Sequence, residues 1–157
     1  MMAAAAVSLL VLIGFGHLSI GDLRTRQVVV DEARLVTALA VVGLAVVGVA
    51  TGAWWSLVGA ALGAALTFGI QLVPYRLKRR RGDDLIGRAD VRLSIPFGWT
   101  LGFHGLGFAF VGFAIALIGG LLFATLGRRR RIPFVPFLTL GLGAGLLWAL
   151  LVDLDRS

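Results

Sequence analysis

The sequence predicts an all-α, polytopic integral membrane protein with about six transmembrane helices. The 157 residues are 59% hydrophobic and include 22 glycines, and the mean hydropathy is +0.95. Long apolar runs alternate with short segments that hold nearly all of the charge, which indicates lipid as the main solvent. A chain of this length normally forms one domain, so we expect one membrane-embedded domain over residues 1–157.

The first three spans follow from the lengths of the apolar runs. The N-terminus is apolar from its first residue and has no basic segment ahead of it, as a secretory signal would have, so we expect a retained first span over about residues 1–20. Residues 35–73 are almost free of charge and too long for one crossing of about 17–25 residues. Two spans are therefore expected here, with a turn at "ATGAWW", residues 50–55.

The charge of the flanking segments decides how the remaining apolar runs cross the membrane. Residues 93–127 are long for one span and short for two, and both flanks are strongly basic. Basic loops stay on the cytoplasmic side, so this run must cross an even number of times. We expect two short helices that meet near "GFHGLG", residues 102–107. With a last span after residue 131, the predicted number of spans is six, and both termini lie outside. In this topology Arg156 is the only one of the 15 lysines and arginines that lies outside.

The same pattern excludes several classes of protein. The formal net charge is +7, but the basic residues lie in short breaks between apolar runs, which argues against a nucleic-acid-binding surface and for contact with anionic lipid headgroups. The chain has no cysteine, so a disulfide framework and a thiolate zinc site are excluded. We expect neither a metal nor an organic cofactor.

Two carboxylates, far apart in sequence, are expected at one membrane face. Asp22 follows the first apolar run and Asp90 precedes the fourth, so both fall at cytoplasmic span ends. Ionisable groups there are unusual without a purpose. Two facing carboxylates share one proton and titrate as a unit, which is the chemistry of aspartic proteolysis. Gly87 and Ala89 leave room beside Asp90 for a peptide to approach.

Three segments resemble motifs of the type IV prepilin peptidases, which are membrane-embedded aspartic proteases. "DLRTRQV", from Asp22, resembles their first motif, D-x-x-x-R-x-I-P-N, and "GRADVRL", from Gly87, resembles the second, G-x-G-D-x-K-L. "IPFVPFLTLG", from Ile132, resembles the stretch I-P-F-G-P-F-L-A-L-G that opens their last span. The segments come in the family's order, and the resemblance covers essentially the whole chain.

The resemblance implies a function and a set of site residues. It makes Asp22 and Asp90 the catalytic pair, with Gly87, Ala89 and Arg92 as supporting residues. It also implies that prepilin or pilin-like precursors are the substrate, cut after a short basic leader at the cytoplasmic face of the inner membrane. Larger family members carry an additional methylating domain, often with two cysteine pairs, to which nothing here corresponds, so we expect cleavage without methylation.

The chain departs from the family's motifs, and other functions fit the same residues. Val29 and Val30 replace the proline and asparagine of the first motif, Ala89 replaces a glycine, and Arg92 replaces a lysine. The aspartates could instead pair with the neighbouring arginines at a headgroup boundary, namely Arg24, Arg26, Arg88 or Arg92. The functional alternatives are a small proton- or cation-coupled carrier and a non-catalytic membrane partner in pilus assembly.

Overall fold

The described part of the protein is helical throughout, which confirms the predicted all-α membrane fold. The computed structural model describes residues 2–25, 29–79, 88–127 and 134–155, and these residues form six α-helices and no strand. The helices are α1 (Met2–Thr25), α2 (Val30–Ala50), α3 (Trp54–Arg79), α4 (Arg88–His104), α5 (Leu106–Gly127) and α6 (Val135–Asp155).

Two predicted turns are confirmed. Residues 51–53 separate α2 from α3, inside "ATGAWW", and Gly105 alone separates α4 from α5, inside "GFHGLG". Gly52 has a φ of 67° and Gly105 a φ of 148°, values that glycine adopts far more readily than other residues. Glycine at these two positions therefore lets the chain reverse direction within one to three residues.

The predicted end of the first span was wrong. We expected the first span to end near residue 20, but α1 continues to Thr25, and α2 already begins at Val30. Leu18, Ser19 and Asp22 are all buried, because the inward face of α1 continues to pack against α6 beyond the apolar run. Acidic residues in the first turn of α2 also suit a helix N-terminus, where the helix dipole favours negative charge.

Five of the described helices, all except α4, are long and apolar enough to cross a membrane. α4 has only 17 residues, or about 25 Å of helix, and it packs against α2, α3, α5 and α6. The fold is that of a multi-pass membrane protein in which the shortest helix is the most enclosed. Protein rather than lipid surrounds α4, so polar residues can lie along it.

The backbones of α3 and α4 approach each other closely. A Cβ atom added at Gly59 would lie 2.5 Å from the carbonyl oxygen of Gly102, and one added at Gly63 would overlap the carbonyl oxygen of Gly98. Gly59 and Gly63, one helical turn apart, therefore let α3 and α4 pack closely. Beyond the glycines, the Thr67 hydroxyl donates to the backbone oxygen of Ser94 at 2.7 Å.

Successive helices run in alternating directions, so the C-terminal ends of α1, α3 and α5 and the N-terminal ends of α2, α4 and α6 lie at one end of the bundle. We call this the basic end, because every lysine and arginine except Arg156 falls, in the sequence, within these helix ends or between them. A core of apolar side chains from α1, α2, α4, α5 and α6 fills the interior, including Phe15, Leu18, Leu93 and Phe97.

Gly63→Ala should destabilise the bundle by about 1–3 kcal/mol, because the new methyl group forces the two backbones apart. Gly69→Ala on the same helix is the matched control, since a Cβ there meets nothing within 4 Å and alanine favours helix by about 1 kcal/mol. Thermal unfolding in detergent measures both variants. A Gly63→Ala protein as stable as Gly69→Ala would contradict the close approach of α3 and α4.

The expected orientation can be tested by cysteine labelling, because the chain has no cysteine. Thr51 and Val29 are both exposed and lie at opposite ends of α2. We expect an impermeant maleimide to label Thr51→Cys in intact cells, and to label Val29→Cys only after the membrane is opened. Labelling of both positions from the same side would refute the topology.

Candidate active site: two buried carboxylates at the basic end

Asp22 lies near the end of α1, with 6% of its surface exposed. The backbone N–H of Val135, the first residue of α6, donates a hydrogen bond to its carboxylate. The first N–H groups of a helix have no partner within that helix, so the carboxylate satisfies one of them. Its second oxygen, Oδ2, is buried and has no hydrogen-bond partner among the described residues. The site therefore holds an acidic oxygen that the fold does not use.

Hydrogen bonds between α1 and α6 hold Asp22 in position. The Ser19 hydroxyl donates to the backbone oxygen of Phe15 at 2.7 Å and shares a 2.5 Å hydrogen bond with Thr139. Thr139 also reaches the same Phe15 oxygen at 3.1 Å. Ser19 lies about one helical turn before Asp22, so these bonds hold α1 against α6 at the level of the carboxylate.

Asp90 lies in the first turn of α4, with 8% of its surface exposed. Negative charge is favoured there by the dipole of the helix. One turn further on, the Ser94 hydroxyl donates to the backbone oxygen of Val91 at 2.6 Å, while Thr67 of α3 donates to the backbone oxygen of Ser94. The start of α4 is therefore held against α3.

The two carboxylates lie at the same depth in the bundle. At the other end of the molecule, Ser8 of α1 and His104 of α4 are joined by a 2.9 Å hydrogen bond. Asp22 lies 14 residues after Ser8, and Asp90 lies 14 residues before His104. At 1.5 Å per residue, each carboxylate is about 21 Å from that contact, towards the basic end. Both helices also pack against α2 and α6 and contribute to one apolar core.

The residues predicted to support the two aspartates differ in their burial. Ala89 is half-buried beside Asp90, whereas Arg92 is exposed. Gly87 lies outside the described residues, as do Arg26 and the side chain of Arg88. Arg24 is exposed, and no ion pair joins Asp22 to a described arginine.

Two exposed charged pairs lie near this end, one between α1 and α2 and one within α2. His17 Nε2 of α1 lies 3.6 Å from Glu32 Oε2 of α2, and Arg34 Nη1 lies 3.2 Å from Asp31 Oδ1 on α2 itself. These side chains are largely exposed, and exposed pairs contribute at most about 1 kcal/mol to stability. His17 therefore contacts the neighbouring helix.

One polar residue in this region was missed in the sequence. Gln71 is buried on α3, and neither atom of its amide group has a hydrogen-bond partner among the described residues. The sequence carries a signal for it, because Gly59, Gly63, Thr67 and Gln71 recur every fourth residue and so share one helix face.

Comparisons with known proteins return no relative of this chain. No family model matches it, and neither a curated protein nor a solved structure does so. Within the described residues, no three histidine, aspartate or glutamate side chains are grouped in a way that could hold a metal ion. The function is therefore inferred from the carboxylates, their surroundings and the motif resemblance.

Asp22→Asn should leave the thermal stability unchanged or raise it. The asparagine oxygen can still accept the Val135 N–H, while the buried charge, which is costly without a partner, is removed. Asp31→Asn is the control. Because Asp31 is exposed, this substitution should change the free energy of unfolding by less than about 0.5 kcal/mol. Unfolding in detergent measures both. A large loss of stability in Asp22→Asn alone would mark Asp22 as a structural anchor.

Proposed function

We propose that this protein is a membrane aspartic endopeptidase that removes the short basic leader of prepilin or pilin-like precursors. The observation that carries the proposal is the pair of buried carboxylates, Asp22 and Asp90, at equal depth and at the same end of a membrane bundle. The family resemblance of the segments around both residues supports the same reaction. We further propose the cytoplasmic membrane as its location and the cytoplasmic face as the side of cleavage.

The burial of the pair supports a division of labour between the two carboxylates. Charge is costly in a poorly solvated site, so in the proposed reaction the two acids face one another across the substrate and retain one proton between them. The ionised member then removes a proton from water, and the water oxygen adds to the carbonyl carbon of the peptide bond. The protonated member gives its proton to the carbonyl oxygen.

The intermediate collapses when the carbon–nitrogen bond breaks. The leaving nitrogen takes the proton that came from water, and one hydroxyl group of the intermediate returns its proton to the other carboxylate. The pair therefore ends with one proton, as it began. Pre-positioned groups of this kind lower the barrier because little reorganisation is needed during the reaction.

The position of the pair along the helices suits a substrate that is itself a membrane helix. Asp22 lies within the last turn of the candidate span Met2–Arg24, at the depth where a helix passes from apolar to polar surroundings. A precursor with an apolar helix directly after its leader would present the peptide bond between them at this depth. Lipid would hold the rest of the substrate parallel to the bundle.

Asp22→Asn and Asp90→Asn should each reduce processing of a co-expressed prepilin by about 10²–10⁴-fold, the usual contribution of a general acid or base. Both proteins should still insert into the membrane. Asp31→Asn is the control and should process the precursor normally. The mobility of the precursor on a gel gives the readout.

The same variants separate the alternatives. Normal processing by both asparagine variants would refute the catalytic pair and favour a non-catalytic assembly partner. Ion-coupled flux in vesicles that disappears with the same substitutions, without any cleavage by the wild type, would instead favour a carrier.

A further inference from the structure

The contact between α3 and α4 has a regular register that extends to the candidate site. Gly59 lies against Gly102, Gly63 lies against Gly98, and Thr67 bonds to Ser94. Each step moves four residues forward along α3 and four residues back along α4. Continued by one step, this register falls on Gln71 and Asp90, which places the two residues at the same level along α3 and α4.

Gln71 differs from the hydroxyl-bearing residues of this interface, and within the described chain its amide has two buried atoms without a partner, whereas Trp99 has one, the indole nitrogen. The hydroxyls of Thr67, Ser94 and Thr100 all donate to backbone oxygens, so they are satisfied within the protein. Gln71 is only 3% exposed, and its Nε2 and Oε1 atoms both lack a hydrogen-bond partner among the described residues. A buried amide without partners costs about 1–3 kcal/mol, whereas leucine at the same place would cost nothing. Polar residues kept inside a membrane span indicate a function.

We propose that Gln71 is a substrate-binding residue, which holds the backbone of the precursor beside Asp90. A side-chain amide carries one donor group and one acceptor, the same pair that a peptide bond presents. Nε2 would donate to a substrate carbonyl oxygen, and Oε1 would accept a substrate N–H, next to the bond that is cut. This inference rests on the proposed peptidase function.

Backbone recognition explains why an amide suits this position better than a charged group. A carboxylate at residue 71 would compete with Asp90 for the shared proton, and a lysine would hold both acids ionised. A neutral amide binds the peptide without disturbing the titration of the pair. Because its partners are main-chain atoms, Gln71 would bind precursors of differing sequence.

The test compares Gln71→Leu and Gln71→Asn with wild type, using a synthetic peptide that contains a basic leader and the first residues of a pilin helix. Gln71→Leu should raise KM about tenfold and change kcat less than about threefold, because it removes binding made equally in the ground and transition states. Its thermal stability should equal or exceed that of wild type. Gln71→Asn, which keeps the amide, should recover part of the loss.

Thr67→Val is the matched control, one turn away on the same face of α3. It removes the bond to Ser94 and should lower thermal stability while leaving KM within about threefold of wild type. Peptide affinity in an Asp22→Asn background gives a second readout, and adding Gln71→Leu there should weaken binding about tenfold.

The outcomes distinguish the inference from the function on which it rests. Unchanged KM and unchanged peptide affinity in Gln71→Leu, with normal cleavage by wild type, would overturn only the role of Gln71. Loss of stability in Gln71→Leu with unchanged KM would assign Gln71 to packing. Failure of the wild type to cleave or bind any prepilin peptide would overturn the peptidase proposal, and the role of Gln71 would fall with it.

Discussion

The candidate site depends on the enclosure of α4 by four neighbouring helices. α4 is the shortest helix and carries polar residues along its length, so it would be poorly stable against lipid, where every polar group needs a partner. The small residues of α3 let the two backbones approach closely enough for one helix to shield the other. This close approach keeps the first turn of α4, and Asp90 with it, inside the protein.

Polar groups in the bundle fall into two classes. Most hydroxyl groups, such as those of Ser19, Thr67 and Thr100, donate to backbone oxygens one turn earlier or on a neighbouring helix. The Asp22 carboxylate, the Gln71 amide and the Trp99 indole N–H instead contain buried atoms that have no partner in the described part of the chain. Each of these atoms costs stability, because a buried polar atom without a partner loses its hydrogen bonds to water.

The electrostatic setting of the two acids is similar, although they reach it in different ways. Asp90 lies within the first turn of its own helix, whereas Asp22 lies in the last turn of α1 and binds the first N–H group of α6. Each carboxylate is therefore near the N-terminal end of a helix, where the unpaired backbone N–H groups and the helix dipole favour negative charge.

The sequence by itself determined the helix count, the two glycine turns and the end of the bundle at which both aspartates lie, because span length, turn residues and loop charge act locally. The roles proposed for Asp22 and Asp90 rest on motif resemblance as well as on burial. The extension of α1 to Thr25 and the register of α3 against α4 were decided only by the tertiary structure. These features depend on which helix faces pack together, and that packing is set by side chains distant in the chain, whose contacts no local pattern encodes.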